Sequence, residues 1–226
     1  MNRTRKNRMT LLMVAAAVVP MALDSTTIAQ EPVPLRAVQG QTIISNELPR
    51  ADLTFGKDFH YVGGQRVNLY GMAEAEQHLF VEAGVSGVVN RFYWVQFEHR
   101  LPKDKHTYNY RGGETDIGGL RFIYDVKSWP DYAANQLEDP ASDGAAIARL
   151  LGQHNLVFPK RAVRVRMFHL PTWDRRAELM IIYGEALPED STVPVREGGV
   201  VLDDEAPAAA KMFLEDARRD LTVLKK

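Results

Sequence analysis

The sequence predicts an α+β fold: a curled antiparallel sheet of about six to eight strands, packed by one internal helix and one C-terminal amphipathic helix. One observation is the run VVNRFYWVQFEHRL at 88–101, whose density of aromatic and β-branched residues is typical of a long β-strand. Another is that apolar residues change from alternation to helical spacing at 142–154 and again after Pro207. Residues 59–226 are therefore predicted to form a single α+β domain.

Residues 1–29 have the features of a secretory signal peptide. Four basic residues within the first eight positions precede an apolar run at 9–19, and Thr27 and Ala29 are small residues at the positions that signal peptidase recognises. We expect cleavage before Gln30 and a periplasmic or secreted location. The apolar run is shorter than the roughly 20 residues that a spanning helix needs, so no stable membrane insertion is expected after cleavage. Anchoring by an uncleaved N-terminal segment is the alternative.

Composition excludes several classes of function. The sequence contains no cysteine, which excludes a disulfide framework. Basic and acidic residues alternate along a nearly balanced chain with no basic stripe, so nucleic acid is not a predicted partner. The six histidines show none of the HxH, HxxxH or HExxH spacings, and no phosphate-binding loop is present. Neither a metal ion nor another cofactor is therefore predicted.

Residues 30–58 are predicted to form an extended or partly disordered arm. Prolines at 32, 34 and 49 interrupt the segment, and its only short apolar run is Ile43-Ile44. Such a segment either lies extended over the domain or is partly disordered.

The domain is expected to begin near Phe59 with two short strands around a tight turn at Gly63-Gly64. Residues 75–83 are predicted as the next strand, although their alanine and glutamate content also suits a short helix. A three-residue loop at 85–87 then leads into strand 88–101.

The length of this loop determines which residues share a face of the sheet. With three residues, partners on the two strands have numbers that add to 172, which places His78 opposite Trp94 and Glu76 opposite Gln96. A loop that is one residue longer moves His78 to the other face, because side chains alternate along a strand.

The remaining strands and helices are predicted from the same two periodicities, alternation for strands and a spacing of about 3.6 residues for helices. Residues 103–119 are predicted to form a long loop that is either a binding element or a solvated excursion. Ser142 caps one helix, and the final helix is expected to open at Asp203 or Asp204 with Pro207 in its first turn. The final helix is predicted to carry the apolar stripe Phe213, Ala217, Leu221 and Leu224. The expected strands are 120–129, 163–169 and 178–187, and the expected helices are 142–154 and the segment from Asp203 or Asp204 to Leu224.

Polar residues on otherwise apolar strand faces are the candidates for chemistry, because a buried polar group without partners costs about 1 to 3 kcal/mol. Gln96 and Glu98 share a face with Trp94 and, in the predicted register, with His78. Glu98 would then act as an acid/base group or ligand anchor with His78 as its partner. Alternatively, Glu98 pairs with Arg91 or Arg100, and His78 bonds to a backbone carbonyl.

Aromatic residues complete the predicted concave face. Tyr124 points inward from strand 120–129, and Tyr183 lies in the apolar strand 178–187. The candidate ligand-binding residues are His78, Trp94, Gln96, Glu98, Tyr124 and Tyr183.

Two functional hypotheses follow. The first is an exported, non-enzymatic domain that binds a small apolar or amphipathic ligand, or a partner, on the concave face. The second is a hydrolase- or isomerase-like enzyme that uses Glu98 with His78. A pocket that holds these two side chains within hydrogen-bond reach favours the enzyme.

Overall fold

The computed structural model describes residues 33–226, which belong to one compact unit. The predicted signal peptide lies outside the described residues. In chain order the elements are β1 (Ala37–Gln39), β2 (Thr42–Ser45), β3 (Ala51–Phe55), β4 (His60–Leu69), β5 (Ala73–Ala83), β6 (Val89–Arg100), β7 (Gly113–Ile117), β8 (Leu120–Trp129), α1 (Tyr132–Leu137), α2 (Asp143–Gln153), β9 (Ala162–His169), β10 (Ala177–Ala186), β11 (Val200–Val201), α3 (Leu202–Glu205), α4 (Pro207–Arg219) and β12 (Leu221–Lys225).

These elements form an α+β fold with two antiparallel sheets, which confirms the predicted fold class. The larger sheet has eight strands in the order β11-β8-β9-β10-β6-β5-β4, with β7 added beside β8. The smaller sheet has the order β1-β2-β3-β12. The expected curl is not pronounced. None of the helices between residues 33 and 226 is long and apolar enough to cross a membrane.

Strands β6 and β10 are neighbours at the centre of the larger sheet, as their apolar sequences predict. Both faces of the sheet are covered. On the helix face, Trp94 packs in an apolar cluster with residues of α1 and α2 such as Tyr132 and Ile147. On the opposite face, which we call the small-sheet face, Tyr93 packs with residues of β3 and α4 such as Phe55 and Phe213.

The register between β5 and β6 differs from the prediction. Ala83 pairs with Val89, whose numbers add to the expected 172, but the next pair is Glu82 with Arg91. A β-bulge therefore adds one residue to β6 close to the turn and shifts the partners beyond it. His78 consequently lies opposite Val95 rather than Trp94, on the small-sheet face.

The Gly63-Gly64 pair is also part of a strand and not of a turn. It lies within β4, just after a bulge between Tyr61 and Gly63. A Cβ atom at Gly64 would lie only 2.6 Å from the hydroxyl of Tyr61, so the glycine leaves room for that side chain. The Gly-Gly pair, which resembles a hairpin turn in the sequence, thus allows a side chain to pack closely over strand β4.

Segment 30–58, predicted as an arm, supplies β1, β2 and β3, and the side chains of Ile43 and Leu53 are buried against the small-sheet face. The fourth strand of this sheet is β12, which pairs with β3. The predicted final helix therefore ends at Arg219, and Leu221 and Leu224 belong to a strand. Pairing with β3 decides this outcome, because the apolar spacing of these residues fits both structures.

Helix α2 begins as predicted, since the Ser142 hydroxyl accepts a hydrogen bond from the backbone N–H of Ala145. Its buried residues Ile147, Leu150 and Leu151 face the larger sheet. Helix α1 was not predicted.

Candidate functional site

The structure divides the six predicted site residues between the two faces. Trp94, Gln96 and Glu98 lie on the helix face, whereas His78, Tyr124 and Tyr183 belong to the small-sheet face. The expected partnership of Glu98 with His78 is therefore wrong, because these side chains lie on opposite sides of the sheet. The aromatic rings do not line one concave surface either.

Several of these residues belong to the packed core. Trp94 and Tyr183 are almost fully buried, each within a different apolar cluster. The predicted alternative for Glu98 is wrong as well: Arg91 forms ion pairs with Glu82 and Asp220, and Arg100 pairs with Asp104.

His78 belongs to a separate polar cluster on the small-sheet face. Its Nε2 atom lies 2.8 Å from Oε1 of Glu76, and its Nδ1 atom lies 3.1 Å from the Tyr61 hydroxyl. Arg36 binds Glu76 through both its backbone N–H and its guanidinium. Burial alone would raise the pKa of Glu76, but the hydrogen bonds from His78 and Arg36 lower it to about 2. Arg36 and Glu76 also line a cavity of about 280 Å³ together with Phe97, so one side of the cluster is accessible, whereas the side chain of His78 is buried.

The neighbour of Glu98 on the next strand is another glutamate. Glu178, near the start of β10, is directly opposite Glu98 on β6, so both carboxyl groups project from the helix face. Side chains at such positions have Cβ atoms about 4.5 to 5.5 Å apart. The two glutamates therefore form a carboxyl pair.

A row of glutamine side chains connects Glu98 to the β4 edge of the larger sheet. Gln65, Gln77 and Gln96 occupy one row across β4, β5 and β6, and all three are buried. The amide of Gln65 donates to Gln77 at 2.7 Å, Gln77 donates to Gln96 at 2.8 Å, and Gln96 donates to Glu98 at 2.7 Å. This continuous chain fixes the orientation of one carboxyl group of the pair.

Two tyrosines reach the pair from the segment between β6 and β7. The Tyr108 hydroxyl donates to Oε1 of Glu98 at 2.6 Å, and the Tyr110 hydroxyl donates to Oε2 of Glu178. The ring of Tyr110 stacks on Phe168 with 3.7 Å between centroids. The long loop that the sequence marks as a binding element thus lies over the carboxyl pair.

Burial and mutual repulsion disfavour the charged forms of both glutamates. Burial raises the pKa of Glu178, the nearby charge of Glu98 raises it further, and the result is about 8. Burial also raises the pKa of Glu98, although the hydrogen bonds from Tyr108 and Gln96 oppose this shift. Glu178 therefore keeps its proton near neutral pH, and the titrations of the two neighbouring carboxyl groups are coupled.

The pair is the polar base of a pocket of about 320 Å³ on the helix face. Leu69, Phe168 and Met180 form apolar walls, while Tyr70 and Met72 lie at its rim and are 54% and 40% exposed. The other lining residues are Ala73, Arg100, Tyr108, Tyr110, Asp143 and Arg166. We refer to this as the carboxyl pocket.

Sequence reasoning found Glu98, Gln96 and the tyrosine-bearing loop but missed Glu178. The available signal was an acidic residue at the start of the apolar run ELMIIYGEAL, which the strand pattern alone does not distinguish from a solvated strand end. Among residues 33–226, no group of three or more histidine, aspartate or glutamate side chains is placed to hold a metal ion.

Comparisons with protein-family models, curated proteins and solved structures found no match. The functional interpretation therefore depends on the geometry of the carboxyl pocket.

Proposed function

We propose that the protein binds a small amphipathic molecule in the carboxyl pocket. The observation that carries this proposal is a carboxyl pair, buried Glu178 and half-buried Glu98, in an open pocket with apolar walls. Ligand sites are commonly concave, mostly apolar, and equipped with a few convergent polar groups and perturbed pKa values. The ligand would place its polar end on Glu98 and Glu178 and its apolar part along Phe168, Met180 and Met72.

The energetic cost of the pair supports a functional role. Glu178 is only 3% exposed and faces a second carboxyl group. At neutral pH the buried carboxyl group must either carry an unmatched charge or take up a proton, and both cost free energy, whereas a glutamine could accept the same hydrogen bond from Tyr110 without that cost. A fold that needed only packing and hydrogen bonds at this position would be more stable with the neutral side chain.

The pocket can be tested with small six-carbon amphiphiles of each charge class, namely 1-hexanol, hexanoate and hexylamine. Saturation-transfer NMR on the full chain should detect binding of at least one probe. Met72→Trp places a large ring at the partly exposed rim and should abolish that signal. Leu224→Trp makes a similar change at an exposed position on β12 and should leave it intact. Absence of binding for all probes, or equal binding by both variants, would contradict the proposal.

Acid/base catalysis by the pair is a second candidate function. It is favoured by an asymmetry: Glu98 accepts hydrogen bonds from two side chains, whereas Glu178 accepts one. Glu98 is thereby stabilised as the carboxylate and Glu178 as the proton donor, the division of roles that acid/base enzymes use. If the wild type converts a pocket ligand to a product, and both Glu98→Gln and Glu178→Gln abolish that conversion, the result would favour an enzyme. Binding without conversion would favour the first proposal.

Export is part of the proposed function. The basic start, short apolar centre and small residues before Gln30 support it. N-terminal sequencing of the protein from the periplasm or medium should find Gln30 as the first residue. Intact Met1 in the membrane fraction would show that the segment is retained as an anchor.

A further inference from the structure

We propose that the ligand of the carboxyl pocket is a protonated amine with an apolar tail, and that its ammonium group bridges Glu98 and Glu178. This inference rests on the proposed binding function and specifies the chemical class of the ligand.

The carboxyl pair lacks a counter-cation within the described part of the chain. Two arginines line the same pocket, but Arg100 pairs with Asp104 at 2.8 Å and Arg166 pairs with Asp125 at 2.6 Å. Within the described part of the chain, neither Glu98 nor Glu178 forms an ion pair. The positive charges nearby are therefore already matched, whereas Glu98, Glu178 and the neighbouring Asp143 have no ion-pair partner among the described residues.

Glu178 also has unused hydrogen-bonding capacity. The side chain of Glu178 is buried and lines the pocket, yet within residues 33–226 only its Oε2 atom has a hydrogen-bond partner, the Tyr110 hydroxyl. Its Oε1 atom remains free to accept. An ammonium group carries three donors, whereas two facing carboxylates supply acceptors only. Such a group can therefore bridge both glutamates while the tyrosines keep their existing bonds.

The walls of the pocket suit an apolar tail. Tyr110 is nearly parallel to both Tyr108 and Phe168, so three aromatic rings border the pair. Arg100 already lies over the Tyr108 ring and Arg166 over the Phe168 ring, so these rings supply apolar contact and not a free cation-binding face. The apolar rim at Met72 suits a hydrocarbon tail, which a bare metal ion lacks. A metal ion would also find no third histidine, aspartate or glutamate ligand beside the pair among the described residues.

Binding of this kind is linked to pH. Before binding, Glu178 keeps its proton near neutral pH because its pKa is raised to about 8. On binding, this proton passes to solvent and the ionised carboxyl group contacts the ammonium group. The other titratable or charged groups that face the pair are Tyr108 and Tyr110 from the loop, Arg100 from β6, Arg166 from β9 and Asp143 from α2. The arginines are matched by Asp104 and Asp125, so release of the Glu178 proton is the titration that amine binding requires.

Calorimetry of the full-length chain with hexylamine, 1-hexanol and hexanoate tests the inference. At about pH 8 hexylamine should bind about tenfold to a hundredfold more tightly than 1-hexanol, because hydrogen bonds to charged groups contribute about 1.5 to 3 kcal/mol. Below about pH 7 its affinity should fall about tenfold per pH unit, since one proton is released on binding. Repeating the measurement in buffers of different ionisation enthalpy counts that proton directly in the unmodified protein.

Matched variants locate the effect. Glu178→Gln should reduce hexylamine affinity at least about tenfold and abolish proton release, while Glu215→Gln, on the exposed surface of α4, should leave both unchanged. If 1-hexanol or hexanoate binds in a Met72-dependent manner and hexylamine binds no more tightly, the amine inference fails and the proposed function stands. If none of the three binds, both fail. Hexylamine binding without proton release would also overturn the exchange of proton for ammonium.

Discussion

Glu178 on β10 is the direct cross-strand neighbour of Glu98 on β6, and each accepts a hydrogen bond from a different tyrosine of one loop. Two carboxyl groups at such positions repel each other when both are ionised. The folded protein consequently binds a proton that the unfolded chain releases at lower pH, and this difference has a measurable effect on stability.

The first prediction concerns stability above pH 5. The pKa of Glu178 rises from 4.5 to about 8 in the folded state. A raised carboxyl pKa contributes stability below the unfolded value, and this stability is lost as pH rises toward 8, at up to about 1.4 kcal/mol per pH unit. Glu178→Gln should therefore unfold at a higher urea concentration than the wild type at about pH 8.5 and at a similar one at about pH 5. Parallel pH profiles for the two proteins would contradict this.

The second prediction concerns the buried ion pair on the small-sheet face. Arg36→Ala should destabilise the protein by about 3 to 5 kcal/mol, because Glu76 would be left buried without its cation. Arg66→Ala removes a more exposed partner of Glu74 and should cost less than about 1 kcal/mol. Urea unfolding at neutral pH measures both. Similar costs for the two variants would show that the Arg36 pair is not isolated from solvent.

The third prediction concerns acid unfolding. The pKa of Glu76 is lowered from 4.5 to about 2. A depressed carboxyl pKa contributes stability above the unfolded value, and this contribution is lost as pH falls from about 4.5 toward 2. Glu76→Gln should be less stable than the wild type at neutral pH, and the difference should shrink in acid. A difference that stays constant down to about pH 2 would exclude this titration as its cause.

The fourth prediction compares two glycines. A Cβ atom on Gly184 would lie 2.1 Å from the ring of Phe92, so Gly184→Ala should destabilise the sheet by about 1 to 3 kcal/mol or prevent folding. Gly152, inside α2, has no neighbour within 4 Å of such an atom. Gly152→Ala should stabilise by about 0.5 to 1 kcal/mol, because alanine favours the helix. Thermal unfolding should shift in opposite directions for the two variants.

The fifth prediction concerns the docking of α4. Phe213→Asp should destabilise by several kcal/mol because it places a charge in the core between α4 and the larger sheet. Lys211 projects into solvent, and Lys211→Ala should stay within about 0.5 kcal/mol of the wild type. Equal denaturation midpoints would mean that the helix does not bury Phe213.

Several strands and helices could be predicted from the sequence because their apolar residues recur at clear strand or helix spacing. Alternation in β6 and β8 and the Ser142 cap of α2 each indicated the correct structure. The residues at which these strands and helices end were harder to predict. Leu221 and Leu224 fit a helical stripe as well as a strand, and only the distant partner β3 decides between them.

The site was partly predictable for a similar reason. Glu98 and Gln96 interrupt an apolar strand face, which identifies them without knowledge of the fold. Placing His78 required the exact register, and one bulged residue near the β5–β6 turn changed its face. Pairing Glu98 with Glu178 required the strand order, which joins residues 80 positions apart. Periodicity within one strand carries no such information.

Pairing between β3 and β12 also has a consequence for biosynthesis. Leu221 meets Phe55 and Lys225 meets Ala51, contacts that connect opposite ends of the described chain. Until the ribosome has made β12, β3 has an unpaired edge, and open edges of this kind pair with other chains. Because contacts between distant residues also form slowly, a nascent chain that stalls before Leu221 should be especially prone to aggregation.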